Sequence, residues 1–361
     1  MGKKMNGSWM IYGATGFAGT LIAEEAVRHG LSPILAGRNA EKLSTLAERL
    51  GLKWVAFSLD DESALHEAAE SVDLVLHTAG RFAETCASMM DACLAAKAHY
   101  LDISNEISVL QAAKSRHHLA EKIGVSIIPG VGFGTVASSC LARHVCEQTG
   151  EPILLEIIIS PYVSERSVGA TKSTLKTIAL GGYVRRSGIL ESIPFGSGTK
   201  RIRTYYVDGN VLPVPSGDLE AAYLATGIAN ITVFMTMPIP PILARLILPS
   251  VQKLLSWSSL RELIFSWLDR RPTSSLVKPV DTNRRSWLWA RAVDRHGNAV
   301  EAMLETGEGY AFTASASILA VKWVLGRHSA GANSPATAFG ADFVLQIKGT
   351  QVHDLIPKKE F

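Results

Sequence analysis

Short apolar runs alternate with amphipathic stretches through the first third of the chain. Trp9–Tyr12, Pro33–Ala36, Trp54–Phe57, Asp73–His77, His99–Ile103 and Val125–Pro129 read as six strands. The segments between them carry apolar residues at helical spacing, as Leu43, Leu46, Ala47 and Leu50 do within residues 40–50. Strict alternation of the two patterns predicts an α/β fold, a Rossmann-type doubly wound parallel sheet. Ligands of such sheets bind outside the carboxyl ends of the strands. Residues at the strand ends are therefore the ones to search for chemistry.

The pattern changes after Gly134. A helix over 136–147 leads to a long apolar strand over 153–160, then to a helix over 171–179 that stops at Gly181-Gly182. Strands are predicted over 201–207, 287–293 and 299–306, and a helix over 310–324. This divides the chain into a Rossmann domain over 1–134 and a second, α+β domain over 135–361 for substrate binding and dimerisation. The C-terminal tail from Ser334 is expected to pack back on the first domain. Residues 221–244 carry no charge, but Gly227, Asn230, Pro238, Pro240 and Pro241 interrupt them, which argues against a membrane-spanning helix. Beyond them Ile242, Leu246, Val251 and Leu255, then Leu260, Leu263, Ile264, Trp267 and Leu268, recur near helical spacing, while Arg245, Lys253, Arg261 and Arg270 take other positions. The expectation is two core-facing helices; the alternatives for 221–270 are a homodimer face, a lid over the substrate, or peripheral contact with a membrane.

The first strand runs straight into Gly13-Ala14-Thr15-Gly16-Phe17-Ala18-Gly19, and a helical pattern leaves it. A strand, a glycine turn and a helix in that order form a dinucleotide-binding context. Gly13 permits the tight turn, Gly16 admits the pyrophosphate to backbone N–H groups, and Gly19 lets helix and strand pack closely. Gly13, Thr15, Gly16, Phe17 and Gly19 are thus candidate cofactor contacts, with the phosphates on the positive end of the helix dipole. The second strand ends in Gly37-Arg38-Asn39. An acidic residue there suits the ribose 2′-hydroxyl of NAD, whereas Arg suits the 2′-phosphate of NADP. Arg38 therefore selects NADP as the expected cofactor. Asp60, after the third strand, is placed near the adenine, and Thr78, Ala79 and Gly80, after the fourth, near the ribose and nicotinamide.

Composition sharpens this picture by exclusion. The chain has 361 residues, of which 47% are hydrophobic and 19% charged, enough apolar material for two cores. A net charge of +3 without a basic run gives no reason to expect nucleic acid. Cys86, Cys93, Cys140 and Cys146 lack metal-ligand spacing and read as small buried hydrophobes of a reducing compartment. No metal is expected. Residues 1–6 lack the apolar core of a signal peptide, so a cytoplasmic location is expected.

Tyr12–Gly19, Ala36–Asn39, His77–Phe82, His99–Glu106 and Pro129–Phe133 occur in that order, and together they resemble the saccharopine dehydrogenase-like reductases, in particular the trans-acting enoyl reductases. Weaker matches follow at Thr174–Thr177, Val184–Gly188, Gly217–Leu219 and Ala338–Asp342, so the resemblance extends over most of the chain. It implies an NADP(H)-dependent oxidoreductase that reduces a C=C or C=N bond of a small organic substrate. The chain departs from the family pattern at Arg81, where proline is common, at Asn105, where glycine is common, and at Lys172-Ser173, where a glycine-rich run is common.

Hydride transfer belongs to the cofactor, and the protein supplies orientation and a proton. Tyr100, Asp102, Glu106 and Arg81 are the candidate catalytic residues, being polar groups at the ends of the fourth and fifth strands. Competing readings exist for two of them: Arg81 suits an i,i+3 salt bridge to Glu84, and Glu106 suits helix capping after Ser104. Tyr100 is followed four residues later by Ser104 rather than Lys, which argues against short-chain alcohol dehydrogenase chemistry. A nucleotide-binding scaffold or sensor without catalysis is the alternative function.

Overall fold

The computed structural model describes residues 7–163, 168–203, 208–269, 284–327 and 329–355. By their contacts the residues divide into one unit of Met1–Cys140 with Tyr310–Lys348 and another of Leu141–Gly309 with Gly349–Phe361. Residues 310–348, which the pattern assigned to the second domain, thus group with the first unit.

In the first unit, strands β1 (Trp9–Tyr12), β2 (Ile34–Gly37), β3 (Trp54–Ala56), β4 (Leu74–His77), β5 (His99–Asp102) and β6 (Ser126–Ile128) alternate with helices α1 (Phe17–Arg28), α2 (Ala40–Leu50), α3 (Glu62–Glu70), α4 (Phe82–Ala96), α5 (Ile107–Ser115), α6 (His117–Ile123) and the part of α7 (Phe133–Glu147) up to Cys140. All pair in parallel, in the spatial order β6-β5-β4-β1-β2-β3, which is the doubly wound order. A two-residue strand, Gly331–Ala332, adds to the far edge beside β6. His117 ties α6 to it, its Nδ1 lying 3.1 Å from both the nitrogen and the oxygen of Ala332. Every residue of β1 and β4 is buried, as expected where helices cover both faces. Met10, Val75, Met89, Met90, Cys93 and Ile127 belong to the core so formed. Sequence signals set the helix starts: Asn39 Oδ1 accepts from Lys42 N at 2.9 Å, and Asp61 Oδ1 from Ala64 N at 3.1 Å.

The second unit is a mixed sheet. It contains β7 (Pro152–Ser160), α8 (Val168–Leu180), the hairpin β8 (Gly182–Arg186) and β9 (Ile189–Ile193), β10 (Lys200–Arg203), β11 (Asp208–Pro213), α9 (Asp218–Thr226), β12 (Asn230–Met237), α10 (Pro241–Ser256), α11 (Ser258–Asp269), β13 (Ser286–Asp294) and β14 (Ala299–Thr306). The order is β10-β11-β12-β7-β13-β14, with a last strand, Gln351–Leu355, beside β14. β7 and β12 pair in parallel and the rest antiparallel. The uncharged run over 221–244 resolves into the end of α9, all of β12 and the start of α10. The far half of the strand predicted over 201–207 lies outside the described residues, as does Arg270.

A buried ion pair holds the hairpin to α9. Arg185 and Glu220 are almost fully enclosed, and the Arg185 guanidinium bonds the Glu220 carboxylate. It also donates to Gly188 O at 2.6 Å and stacks 3.9 Å above the Tyr223 ring. Removing one partner of such a pair strands a charge in low dielectric. Glu220→Ala is expected to cost about 3–5 kcal/mol in denaturant unfolding, and an Arg185→Met/Glu220→Leu double variant to recover most of it.

Candidate functional site

Register places Tyr12 of β1 beside Ala36 of β2 and His77 of β4, and His77 beside Asp102 of β5. The strand ends therefore lie at one level. Thr78 ties two of them together: its N and its Oγ1 donate to Tyr12 O at 2.8 and 3.0 Å. Thr78, expected near the cofactor, is thus a buried structural tie.

The three turn glycines are distinct in kind. Gly13 has φ +92°, and a Cβ there would lie 2.5 Å from Ala79 N. A Cβ on Gly19 would lie 2.3 Å from Gly13 O. Both positions require glycine for the fold itself. Gly16 has φ −76° and is exposed, and a Cβ there would meet only Gly13 O, at 3.2 Å. A side chain there requires Gly13 O to give by a few tenths of an ångström, far less than at Gly13 or Gly19. Gly16 also caps α1 without a side-chain bond, and the first turn of α1 carries no acidic residue. The N–H groups of that turn are left for an anion. Residues and geometry here fit a pyrophosphate. Thr15 is half-buried beside Gly16, and Phe17 stands edge-on to Tyr310 at 4.7 Å.

Arg38 and Asp60 are both exposed, after β2 and β3. Both act on the Tyr12 phenol. Burial raises its pKa, Arg38 lowers it and Asp60 raises it. Tyr12 donates to Phe57 O at 3.3 Å. Arg38 and Asp60 are thus both within electrostatic reach of Tyr12, a buried residue that its apolar run conceals. Ala79 is half-buried and Gly80 exposed at the end of β4, with open space where a Gly80 Cβ would lie.

The expected substrate contacts of Tyr100 and Asp102 need correction. Both side chains have no exposed surface, so neither touches substrate here. Tyr100 donates to Asp102 Oδ2 at 2.8 Å, and His77 Nδ1 lies 3.3 Å from the Tyr100 hydroxyl. With Tyr100 donating to Asp102, the imidazole proton is assigned to Nδ1. Asp102 Oδ1 accepts from Ser104 N at 2.8 Å and Gly130 N at 2.9 Å. The carboxylate therefore joins the loops after β5 and β6, and Tyr100 and Asp102 position those loops. Burial raises the pKa of Asp102 and holds His77 down to about 3.

Arg81 and Glu106 remain accessible and meet at the first turn of α4. Arg81 stands in the left-handed region at φ 65°, which proline cannot adopt, so the departure from the family pattern changes the backbone as well as the side chain. Its guanidinium lies 3.2 Å from Glu84 Oε2, as the competing reading expected. Glu106, half-buried, accepts from Ala83 N at 3.2 Å. It caps α4 rather than its own helix. His117, His118 and Glu121 form the one grouping with metal-ligand proximity among the described residues, at the exposed start of α6, away from these strand ends in sequence.

Residues 9–128 match the model of the saccharopine dehydrogenase NADP binding domain. The chain is 31% identical over 185 residues to a trans-acting enoyl reductase of Mycobacterium leprae, covering 46% of this chain and 44% of that protein. It is 27% identical over 230 residues to a saccharopine dehydrogenase-like oxidoreductase of Bos taurus, covering 57% of this chain and 50% of that one. The chain thus spans about half the length of the curated relatives it matches. Its fold is that of the apo saccharopine dehydrogenase (L-Glu forming) of Saccharomyces cerevisiae, with a TM-score of 0.63 and 13% identity, covering 97% of this chain and all of that one. None of the described helices is long and apolar enough to cross a membrane.

Two outcomes follow. Gly16→Val is expected to keep the melting temperature and lose NADPH affinity in calorimetry, whereas Gly19→Ala lowers the melting temperature, because its Cβ collides with backbone. Buried neutral, His77 makes the chain less stable in acid. Above pH 6.5 both folded and unfolded chains hold a neutral imidazole. Below it the unfolded chain takes up a proton that the folded chain refuses until about pH 3, so stability falls as pH falls. Between pH 6.5 and 5 the wild type is expected to lose about 2 kcal/mol more than His77→Gln in urea unfolding.

Proposed function

We propose that the chain is an NADP(H)-dependent oxidoreductase that reduces a conjugated C=C or C=N bond of a small organic substrate. Gly16 carries this reading: it is an exposed glycine at a helix N-terminus without a side-chain cap, within residues that match an NADP-binding domain model. When bound, the cofactor supplies hydride to the substrate carbon. Gly16 and the first turn of α1 would hold its pyrophosphate, and Arg38 its 2′-phosphate. Arg81 would orient an acidic group of the substrate by a charge-assisted hydrogen bond. Glu106, half-buried at the same helix turn, would hold the proton that completes the reduction. The enoyl reductase name of the Mycobacterium leprae relative supports the C=C class.

The test follows NADPH loss against panels of enoyl thioesters and cyclic imines. Turnover of one panel is expected, with Arg81→Ala raising KM and Glu106→Gln lowering kcat more than NADPH affinity. Arg38→Asp is expected to remove most of the preference for NADPH over NADH, about ten- to a hundredfold, the worth of one charged phosphate contact. If neither panel is consumed while NADPH binds, the reading gives way to a nucleotide-binding scaffold.

A further inference from the structure

We propose that His117, His118 and Glu121 bind a zinc ion at the start of α6. One ligand atom from each of the three lies within 4.8 Å of the other two. Glu121 Oε2 is 3.9 Å from His117 Nε2 and 4.0 Å from His118 Nδ1. Helical spacing causes this, since residues three and four apart are neighbours on one face. Tetrahedral zinc, with bonds of about 2.0–2.1 Å, holds its ligand atoms about 3.4 Å apart. The carboxylate therefore has to close on each ring by only about half an ångström.

His117 is oriented from behind. Its Nδ1 lies 3.1 Å from both the oxygen and the nitrogen of Ala332, in the edge strand Gly331–Ala332. One ring nitrogen makes only one of these bonds at a time. With the proton on Nδ1 it donates to Ala332 O, and the Nε2 lone pair is left on the side of Glu121. Metal-bound histidines ordinarily make such a bond from their second ring nitrogen to a carbonyl or a carboxylate. Gly331 leaves the space for the ring: a Cβ there would lie 2.9 Å from His117 Cε1. The helix that presents the three ligands is itself pinned. Arg116, just before it, donates from Nε and Nη2 to the two oxygens of Asp91 on α4, each at 2.7 Å. Ala120, inside it, is fully buried in the core of the first unit.

The donor set selects the ion. Two imidazoles and a carboxylate suit zinc, whereas magnesium and calcium take oxygen ligands. Hydrogen bonding does not account for the grouping, because both ring nitrogens stand beyond hydrogen-bond distance of Glu121 Oε2. The His118 and Glu121 side chains are 97% and 62% exposed, so the ion enters from solvent and water completes its coordination. Bound at His117 Nε2, zinc fixes the tautomer that donates to Ala332 O. It thereby fastens α6 to the edge strand.

Equilibrium dialysis of the chelator-treated, full-length chain against zinc chloride tests the proposal. One zinc ion per chain is expected, retained in excess magnesium, and it should raise the melting temperature. In nitrogen NMR, zinc should fix the His117 proton on Nδ1, a change that a merely structural histidine would not show. His118→Asn/Glu121→Gln alters two exposed positions and should weaken zinc binding at least about tenfold. Its melting without metal should equal that of the wild type, which verifies that it is folded. His66→Asn, at an exposed position of α3, should leave zinc binding unchanged. Absence of zinc binding, displacement by magnesium, or binding that the double variant retains overturns the proposal. So does a loss of zinc from the His66 variant equal to that from the double variant, which would mark adsorption to surface histidines in general.

Discussion

One carbonyl oxygen sets the geometry at the centre of the first sheet. Tyr12 O accepts both donors of Thr78, which draws the end of β4 against the end of β1 where the strand order reverses. Once those ends meet, Ala79 N occupies the space where a Gly13 side chain would stand. Gly13 then turns the chain, and its carbonyl in turn occupies the space of a Gly19 side chain. Close backbone contact thus propagates from β4 to β1 to α1. The helix starts where it does because of this chain of contacts, with its amide groups open beside Gly16. Gly13 and Gly19 are needed for packing, and Gly16 stands exposed at the helix start.

The neighbouring strand ends separate structure from accessibility. His77, Tyr100 and Asp102 are enclosed, and their polar groups are satisfied by one another and by the loops after β5 and β6. Burying a carboxylate is costly unless its acceptor sites are used, and Asp102 uses both oxygens. The result is a rigid floor. Arg81 and Glu106 stand at the first turn of α4, in contact with water, where α4 presents its positive end. A group that must bind or release a substrate belongs in that second class.

The second unit shows how an apolar helix can be both anchored and exposed. Small and inward residues of α10 match the surface of its unit, while Gln252 and Arg245 meet buried backbone polar groups. Its outward residues are exposed. Elsewhere in that unit most of the polar cost of burial is met internally: Arg185 bonds Glu220 and Gly188 O and stacks on Tyr223, though its Nε finds no partner.

Residue pattern alone determined most of the first sheet. The six strands stand within a residue or two of their predicted bounds, because the inner strands, covered on both faces, are short continuous apolar runs between turn residues, and even the exposed edge strand β3 keeps the apolar run Trp54–Ala56. The glycine turn and Arg38 were equally plain, since each depends on residue type at one local position. β8, β9, β11 and β12 were not read: Gly182–Arg186 mixes charged and apolar residues, and Asn230–Met237 is hidden within a longer uncharged run. β12 becomes a strand only through its pairing with β7, far away in sequence, and β8 through its hairpin with β9 and its bridge to β12. Tertiary structure alone decided which polar residues are enclosed. Tyr100 and Asp102 look from the chain like crevice residues, yet helix and loop packing seal them, because burial depends on neighbours that no local pattern names. It likewise decided which faces of α10 meet protein. Helical spacing reports that a residue is apolar on a given side, but only the fold supplies, or fails to supply, a surface for that side to meet.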